Sequence, residues 1–322
     1  MRPRLAVAIS IAILAGGLSG CQRDSRRTIA VIPKATSHLF WQSVQAGAIA
    51  AGREFDAEIL WNGPPLETEY SRQIQIVDSM IARRVDGIAV AATERKALVQ
   101  PIERAAAAGI PVTVFDSGVE TTNYLTFVAT NNYEGGKLAA RSLAGMLNGR
   151  GKVVMVMNAP GSASTMDRER GFEEAIAEEF PQIQVVGRQF GLSDRAKAMA
   201  AAENLLTAHP GLDGIFASSE PSSVGTAKAL KARGLSGKIS LVAFDSSEGL
   251  VEDLKGGTIH ALVVQDPFRM GYEAVRTIVD KLDGKEPPKR LDLEARVVRG
   301  ADLTQPEIRQ LLFPDLAKYL KQ

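Results

Sequence analysis

The sequence predicts an α/β protein of two doubly wound parallel-sheet lobes joined by a three-strand hinge. Short β-branched runs alternate with longer Ala-rich segments of helical period, the pattern of strands and crossover helices. The runs IAVI, GIAVA, PVTVF and LVAF are apolar without interruption, as strands covered on both faces are. A chain of 322 residues also exceeds one ordinary core and divides naturally into two.

Taken in order, residues 28–33 read as a strand, 40–55 as a helix, 58–61 as a strand, 67–84 as a helix and 87–91 as a strand. An Ala-rich helix over 96–108 and strands over 112–115 and 125–129 complete one βα set. The second set contains helix 133–147, a Gly-rich break at 148–151, strand 152–157, helix 167–179, strand 184–189 and helix 194–208. Strand 214–217, helix 223–233, strands 240–244 and 261–264, and helix 270–282 follow. The last material should rejoin the first sheet, which puts crossings near Thr130, Val264 and Arg290. One lobe is then 28–130 with 264–290, and the other 131–263 with 291–300. In the tail, 301–322, Thr304 stands as an N-cap before Pro306. Ile308, Leu311, Leu312, Leu316 and Leu320 have helical spacing, which predicts a helix packed on one lobe.

Cys21 is the single cysteine, so no internal disulfide can form. It closes the run Leu18-Ser19-Gly20-Cys21 after a basic start (Arg2, Arg4) and an apolar stretch too short to span a bilayer, and resembles the lipobox of a bacterial lipoprotein. On that reading residues 1–20 are a signal peptide and 21–27 a tether. Lipid on Cys21 would anchor the chain to a membrane outside the cytoplasm, in the periplasm or at the cell surface. Charge is balanced, 38 Lys and Arg against 37 Asp and Glu, with no basic block to favour nucleic acid. His38, His209 and His260 lie far apart without metal-ligand spacing, and no cofactor motif is present.

Open parallel sheets bind ligands beyond the carboxyl ends of their strands. Lys34, His38, Phe40 and Trp41 follow the first strand, and Asp116 and Ser117 the fourth. Ser218, Ser219 and Glu220 follow 214–217, Asp245 follows 240–244, and Gln265 follows 261–264. Polar side chains at this edge of both halves, beside aromatic rings, suit a small polyhydroxylated molecule. Carboxylates and amides satisfy hydroxyls directionally, and a ring covers an apolar sugar face.

The stretches IAVIPKATSHLFWQSVQAGAIAAG, VTVFDSG, ATNNYEGGKLAA, DRERGFEEAI, ENLLTAHPGLDGIFA, LVAFDSS and ALVVQDPFRMGYEA carry a resemblance over 28–300. The chain is similar to the sugar-binding proteins of ATP-driven importers that share the ribose-binding-protein fold, the type I periplasmic binding fold. The resemblance implies ligand contacts from Lys34, His38, Phe40, Trp41, Asp116, Arg168, Ser219, Asp245 and Gln265. Asn131 would sit at the first crossover, and Asp167 would replace part of the ribose-type shell. It also implies a monomer that closes around a sugar and docks on the membrane subunits of an ABC permease, without enzymatic chemistry. The ribose-type pattern has a serine-like residue at Lys34, asparagine at His38 and Ser219, arginine at Ser117 and an aromatic at Ser193, so D-ribose itself is disfavoured. The IPK opening and Phe115-Asp116-Ser117 are more similar to the autoinducer-2 and rhamnose branch. A sensory binding protein feeding a chemoreceptor or sensor kinase would share the same sequence. A lactose-repressor-type regulator would open on a helix-turn-helix, and a hydrolase would need more than Asp116 and Asp245.

Overall fold

The computed structural model describes residues 26–36 and 38–320; the segment expected to be a signal peptide and the expected lipidation at Cys21 lie outside them. The first lobe opens with β1 (Arg27–Ile32), α1 (Leu39–Glu54), β2 (Ala57–Trp61), α2 (Tyr70–Ala82), β3 (Gly87–Val90), α3 (Val99–Ala107), β4 (Val112–Phe115) and β5 (Thr126–Thr130). The chain continues as α4 (Asn132–Met146), β6 (Arg150–Met157), α5 (Ala163–Glu179), β7 (Gln182–Phe190), α6 (Arg195–Ala208), β8 (Gly214–Ala217), α7 (Glu220–Ala232) and β9 (Ser240–Phe244). It ends as α8 (Glu248–Lys255), β10 (Ala261–Val264), α9 (Pro267–Leu282), β11 (Arg290–Leu293), β12 (Arg296–Val298), a 3-10 turn (Gly300–Thr304), α10 (Pro306–Leu312) and α11 (Ala317–Leu320).

Two six-stranded sheets result, ordered β11-β5-β4-β3-β1-β2 and β12-β10-β9-β8-β6-β7. All pairings are parallel except β12, which runs antiparallel to β10. Because β11 pairs with β5, the last crossing falls between Leu293 and Arg296, a few residues beyond the expected Arg290. Strand periodicity sends alternate residues to opposite helical layers. Ile29 and Val31 pack with α1 and α9, and Ala30 and Ile32 with α2 and α3. In the second lobe Val154 and Val156 face one layer, and Val153 and Met155 the other.

Each lobe also repeats one close helix crossing. A Cβ on Gly47 of α1 would lie 1.9 Å from the Phe268 carbonyl oxygen, and one on Gly271 of α9 2.0 Å from that of Val44. In the second lobe, a Cβ on Gly136 of α4 would lie 2.0 Å from the Arg168 carbonyl oxygen, and one on Gly171 of α5 2.1 Å from that of Tyr133. The backbone of α5 at Arg168 is therefore set against α4 with no room between.

Several elements differ from the sequence reading, which named no strand at β11 or β12. The short helix α8 was not expected, although Ser247 caps it by accepting from the Leu250 N–H and its Leu250, Val251 and Leu254 are buried. The tail is not one helix on one lobe. Pro314 has no N–H to continue the ladder, and the segment splits into α10 and α11. Ile308 and Leu312 enter the core of the second lobe. Beyond the break, Arg53 of α1 donates to the carbonyls of Lys318 and Tyr319, and the Tyr319 ring lies 5.3 Å from Phe268. The tail thus spans both lobes.

A substitution pair tests the helix crossing. Gly136→Ala should destabilise the protein by about 1–3 kcal/mol through overpacking. Gly145→Ala, on the same helix with nothing within 4 Å of the added carbon, should leave stability unchanged or raise it. Denaturant midpoints that coincide for the two variants would contradict the crossing.

Candidate functional site between the lobes

Lys34 leaves the end of β1, and Gln73 fixes that end. The buried Gln73 amide donates to the carbonyls of Pro33 (2.9 Å) and Ala91 (2.7 Å) and accepts from the N–H and hydroxyl of Thr93. The Lys34 ammonium is only 3% exposed, lies 3.1 Å from Asp116 Oδ2, and donates to the hydroxyls of Ser162 and Ser164, each at 3.0 Å. Those serines belong to the second lobe, so this one cation is satisfied from both sides of the cleft.

Asp116 and Asp245 occupy equivalent places. Each follows a strand ending in Phe, with backbone φ of 57° and 69°. This left-handed region is uncommon for residues other than glycine. Each backbone N–H reaches the neighbouring strand, Asp116 to the Val128 carbonyl and Asp245 to the Val263 carbonyl, both at 2.9 Å. The strained turn is thereby pinned and aims the carboxylate off the sheet edge. Burial pushes the Asp116 carboxyl above its usual range, against the pull of Lys34 and Arg168. Asp245 accepts from Gln265 Nε2 (2.7 Å) and from the Glu220 N–H (3.0 Å) at the start of α7. That is a favourable place for an anion.

Arg168, 2% exposed, sits over the Phe244 ring, its guanidinium carbon 3.9 Å from the centroid. It donates to Asn132 Oδ1 (2.7 Å) and the Ser218 carbonyl (3.1 Å), and lies 3.7 Å from Asp245. A buried guanidinium needs such a shell, because an unpaired charge would be strongly destabilising.

The remaining predicted residues divide. His38, Phe40, Trp41, Ser219 and Gln265 line the cleft with Lys34, Asp116, Arg168 and Asp245. Trp41 is largely core, edge-on to Phe115 at 6.4 Å, and presents its indole N–H to Glu67. Asn131 is not in the cleft: its side chain caps α4 by accepting from the Glu134 N–H, and Asn132 makes the contact with Arg168. Asp167 is half exposed and pairs with Arg170 one helical turn on, facing away from the cleft.

Three groups were absent from the predicted set. Glu67, between β2 and α2, accepts from Trp41 (3.1 Å) and from Ser193 of the second lobe (2.9 Å). Its burial opposes ionisation, but the His38 imidazole 3.8 Å away and the charge of Lys34 outweigh it and hold the carboxyl at about 2. For His38 burial disfavours the cation, yet Glu67 raises the imidazole above its ordinary value. Asn158 directly follows β6, a position the strand-end rule covers, and its side-chain Oδ1 accepts from Ser193 and Ser219, each at 2.9 Å. Glu220, adjoining Ser219, is 2% exposed and pairs with Arg195 at 2.5 Å.

Of the three serines that depart from the ribose-type pattern, two join the lobes. Ser193 donates to Glu67, and Ser117 accepts from the Ser164 N–H at 3.2 Å. Small hydroxyls stand where longer side chains would hold the lobes apart. The space left in the cleft is about 30 Å³, room for about two waters. A molecule much larger than two waters would enter only as the lobes part.

The repeated lobes, the three crossings and a polar seam buried from both sides define a two-lobed clamp for a small solute. A family model described as periplasmic binding protein domain matches residues 29–286, and the chain belongs to that family. It is 31% identical over 225 residues to the ribose import binding protein RbsB of Bacillus subtilis, covering 70% of this chain and 72% of that protein. A carbohydrate transporter solute binding protein from Agrobacterium radiobacter, solved in complex with D-arabinose, superposes with TM-score 0.88 at 32% identity. The match covers 90% of this chain and all of that one. An ABC transporter solute binding protein from Agrobacterium vitis, bound with α-D-tagatopyranose, gives TM-score 0.86 at 32% identity over 89% and 99% of the two chains. The chain is accordingly a binding protein and not an enzyme. Among the described residues no helix is long and apolar enough to cross a membrane.

Below the seam, Glu169 accepts from the Asn158 N–H (3.0 Å) and the Ser218 hydroxyl (2.7 Å), and burial raises its carboxyl to about 7. A raised acid favours its protonated form in the fold. Its contribution to stability is complete below the ordinary value of 4.5 and is lost as pH rises through about 7. Between pH 5 and 8 the wild type should lose on the order of 2–3 kcal/mol more than Glu169→Gln. Denaturant unfolding at the two pH values checks this; parallel losses would contradict it.

Proposed function

We propose that the chain is a solute-binding protein that captures a monosaccharide or similar polyhydroxylated molecule by lobe closure and delivers it to the membrane subunits of an ABC permease. The observation that carries this reading is the pair of pinned strand-end carboxylates, Asp116 and Asp245, each beside a buried cation from Lys34 or Arg168. Acceptors and donors alternate across the seam, and the near balance of charge suits an uncharged polyol over an anion or a cation. Gln265 Oε1 is buried without a hydrogen-bond donor, and a ligand hydroxyl would supply one. The relatives named above are described by ribose, arabinose and tagatose.

Lipidation of Cys21 would hold the monomeric clamp at the periplasmic or outer face of a membrane, with a short tether before β1. Lys34 in the first loop supports a ligand read partly by an ammonium, the feature in which the chain resembles the autoinducer-2 and rhamnose branch. Opening transfers Lys34 from Ser162 and Ser164 to the ligand, and closure is favoured only as far as the ligand touches both lobes.

Thermal unfolding of residues 22–322 with D-ribose, D-arabinose, D-allose, D-tagatose, L-rhamnose and autoinducer-2 tests the reading. At about 100 times its dissociation constant, a true ligand should raise the midpoint by on the order of 5 °C. Asp116→Ala should weaken binding by ~100-fold or more and remove that shift. A shift by amino acids or organic acids with none from any polyol would overturn the proposal.

A further inference from the structure

On the hinge side of the seam lies a second hollow of about 140 Å³. It adjoins the site already described, because Phe40, Asp245 and Gln265 line both. Its other surfaces are largely apolar: Leu39 and Pro267 from the first lobe, and Leu311, Phe313 and Leu316 from the tail. The tail wall is fixed at both ends, by Ile308 and Leu312 in the core of the second lobe and by Arg53 and Phe268 gripping Tyr319 on the first. The hollow is therefore defined only when the lobes are together.

Two features at the junction point to an occupant. Gln265 is 5% exposed, gives its Nε2 to Asp245, and leaves Oε1 without a donor, so a ligand hydroxyl has an acceptor where the two spaces meet. Beyond it most of the lining is aliphatic and aromatic carbon, with the hydroxyls of Ser43 and Ser246 and the exposed Glu248 among it. Phe313, 47% exposed, gains burial from anything apolar seated beside it. An apolar protein cavity of about 150 Å³ accommodates benzene.

We infer that this hollow receives a small apolar substituent, up to a phenyl ring, carried by a sugar whose hydroxylated end lies between Asp116 and Asp245. The ligand class is then glycosides or similarly substituted sugars, an inference that rests on the polyol reading above and narrows it. The polyol end is read by the lobes and the substituent by the tail. A free sugar would use only the first set of contacts.

Isothermal titration of residues 22–322 with D-ribose, D-arabinose and D-allose, and with both anomeric phenyl glycosides of each, separates the two claims. The expected result is a phenyl glycoside bound at least ~10-fold more tightly than its parent sugar. Ending the chain after Leu312 removes Phe313 and Leu316 but keeps the buried Ile308 and Leu312. Leu311→Trp fills the hollow without shortening the chain. Each change should cancel the gain while the parent affinity stays within ~2-fold. If the truncated chain loses parent binding through misfolding, Leu311→Trp alone decides. Parents that bind with no gain from the phenyl group, or a gain that survives both changes, would overturn this inference and leave the polyol reading intact. If neither parents nor glycosides bind, both fail.

Discussion

A positive charge sits in the buried seam between two lobes, and the structure is arranged to satisfy it. Taking an ammonium out of water is unfavourable by several kcal/mol unless carboxylates and acceptors surround it. Lys34 has one carboxylate, Asp116, on its own lobe and two hydroxyls, Ser162 and Ser164, on the other. Neither lobe satisfies it alone. The two sheets must therefore present their strand ends to each other, and any solute that replaces the serines must offer hydrogen-bond acceptors at the same place.

That requirement is met by near duplication. Phe115-Asp116-Ser117 and Phe244-Asp245-Ser246 end corresponding strands, both aspartates are left-handed, and a glycine pair sets one helix crossing in each lobe. The duplication is not exact in chemistry. The first lobe brings a flexible ammonium, and the second a guanidinium set over Phe244 and fixed by Asn132 and Ser218. One cation can follow a moving ligand, while the other is part of a rigid wall.

The strands from β1 to β10 and most helices were legible because apolar runs of β-branched residues and Ala-rich helical periods are local signals, while β11 and β12, short and largely polar or exposed, carry no such run. Lys34, Asp116, Arg168 and Asp245 were legible because the strand-end rule and the family resemblance point to single positions. Glu67 was not: it lies in a loop, and its role arises only when Ser193 arrives from the other lobe. Asn131 and Asn132 are adjacent and chemically identical, and only backbone direction assigns one to a helix cap and the other to Arg168. Asp167 failed for the converse reason, since one residue of helical rotation carries it away from the seam. The tail misled because its apolar spacing is helical on both sides of Pro314, and the sequence does not say that the second piece turns to the other lobe.

The central claim is that a polyol is the bridge that holds the two lobes together. With Cys21 excluded from residues 22–322 the chain has no other cysteine, so spin labels can be placed cleanly on cysteines replacing exposed Arg83 of the first lobe and Lys228 of the second. Pulsed dipolar spectroscopy then reads the distance between lobes. A saturating sugar should convert a broad distribution into a single shorter one, and the same sugar should leave an Asp116→Ala background broad. Distributions that superimpose with and without every polyol tested would contradict the account.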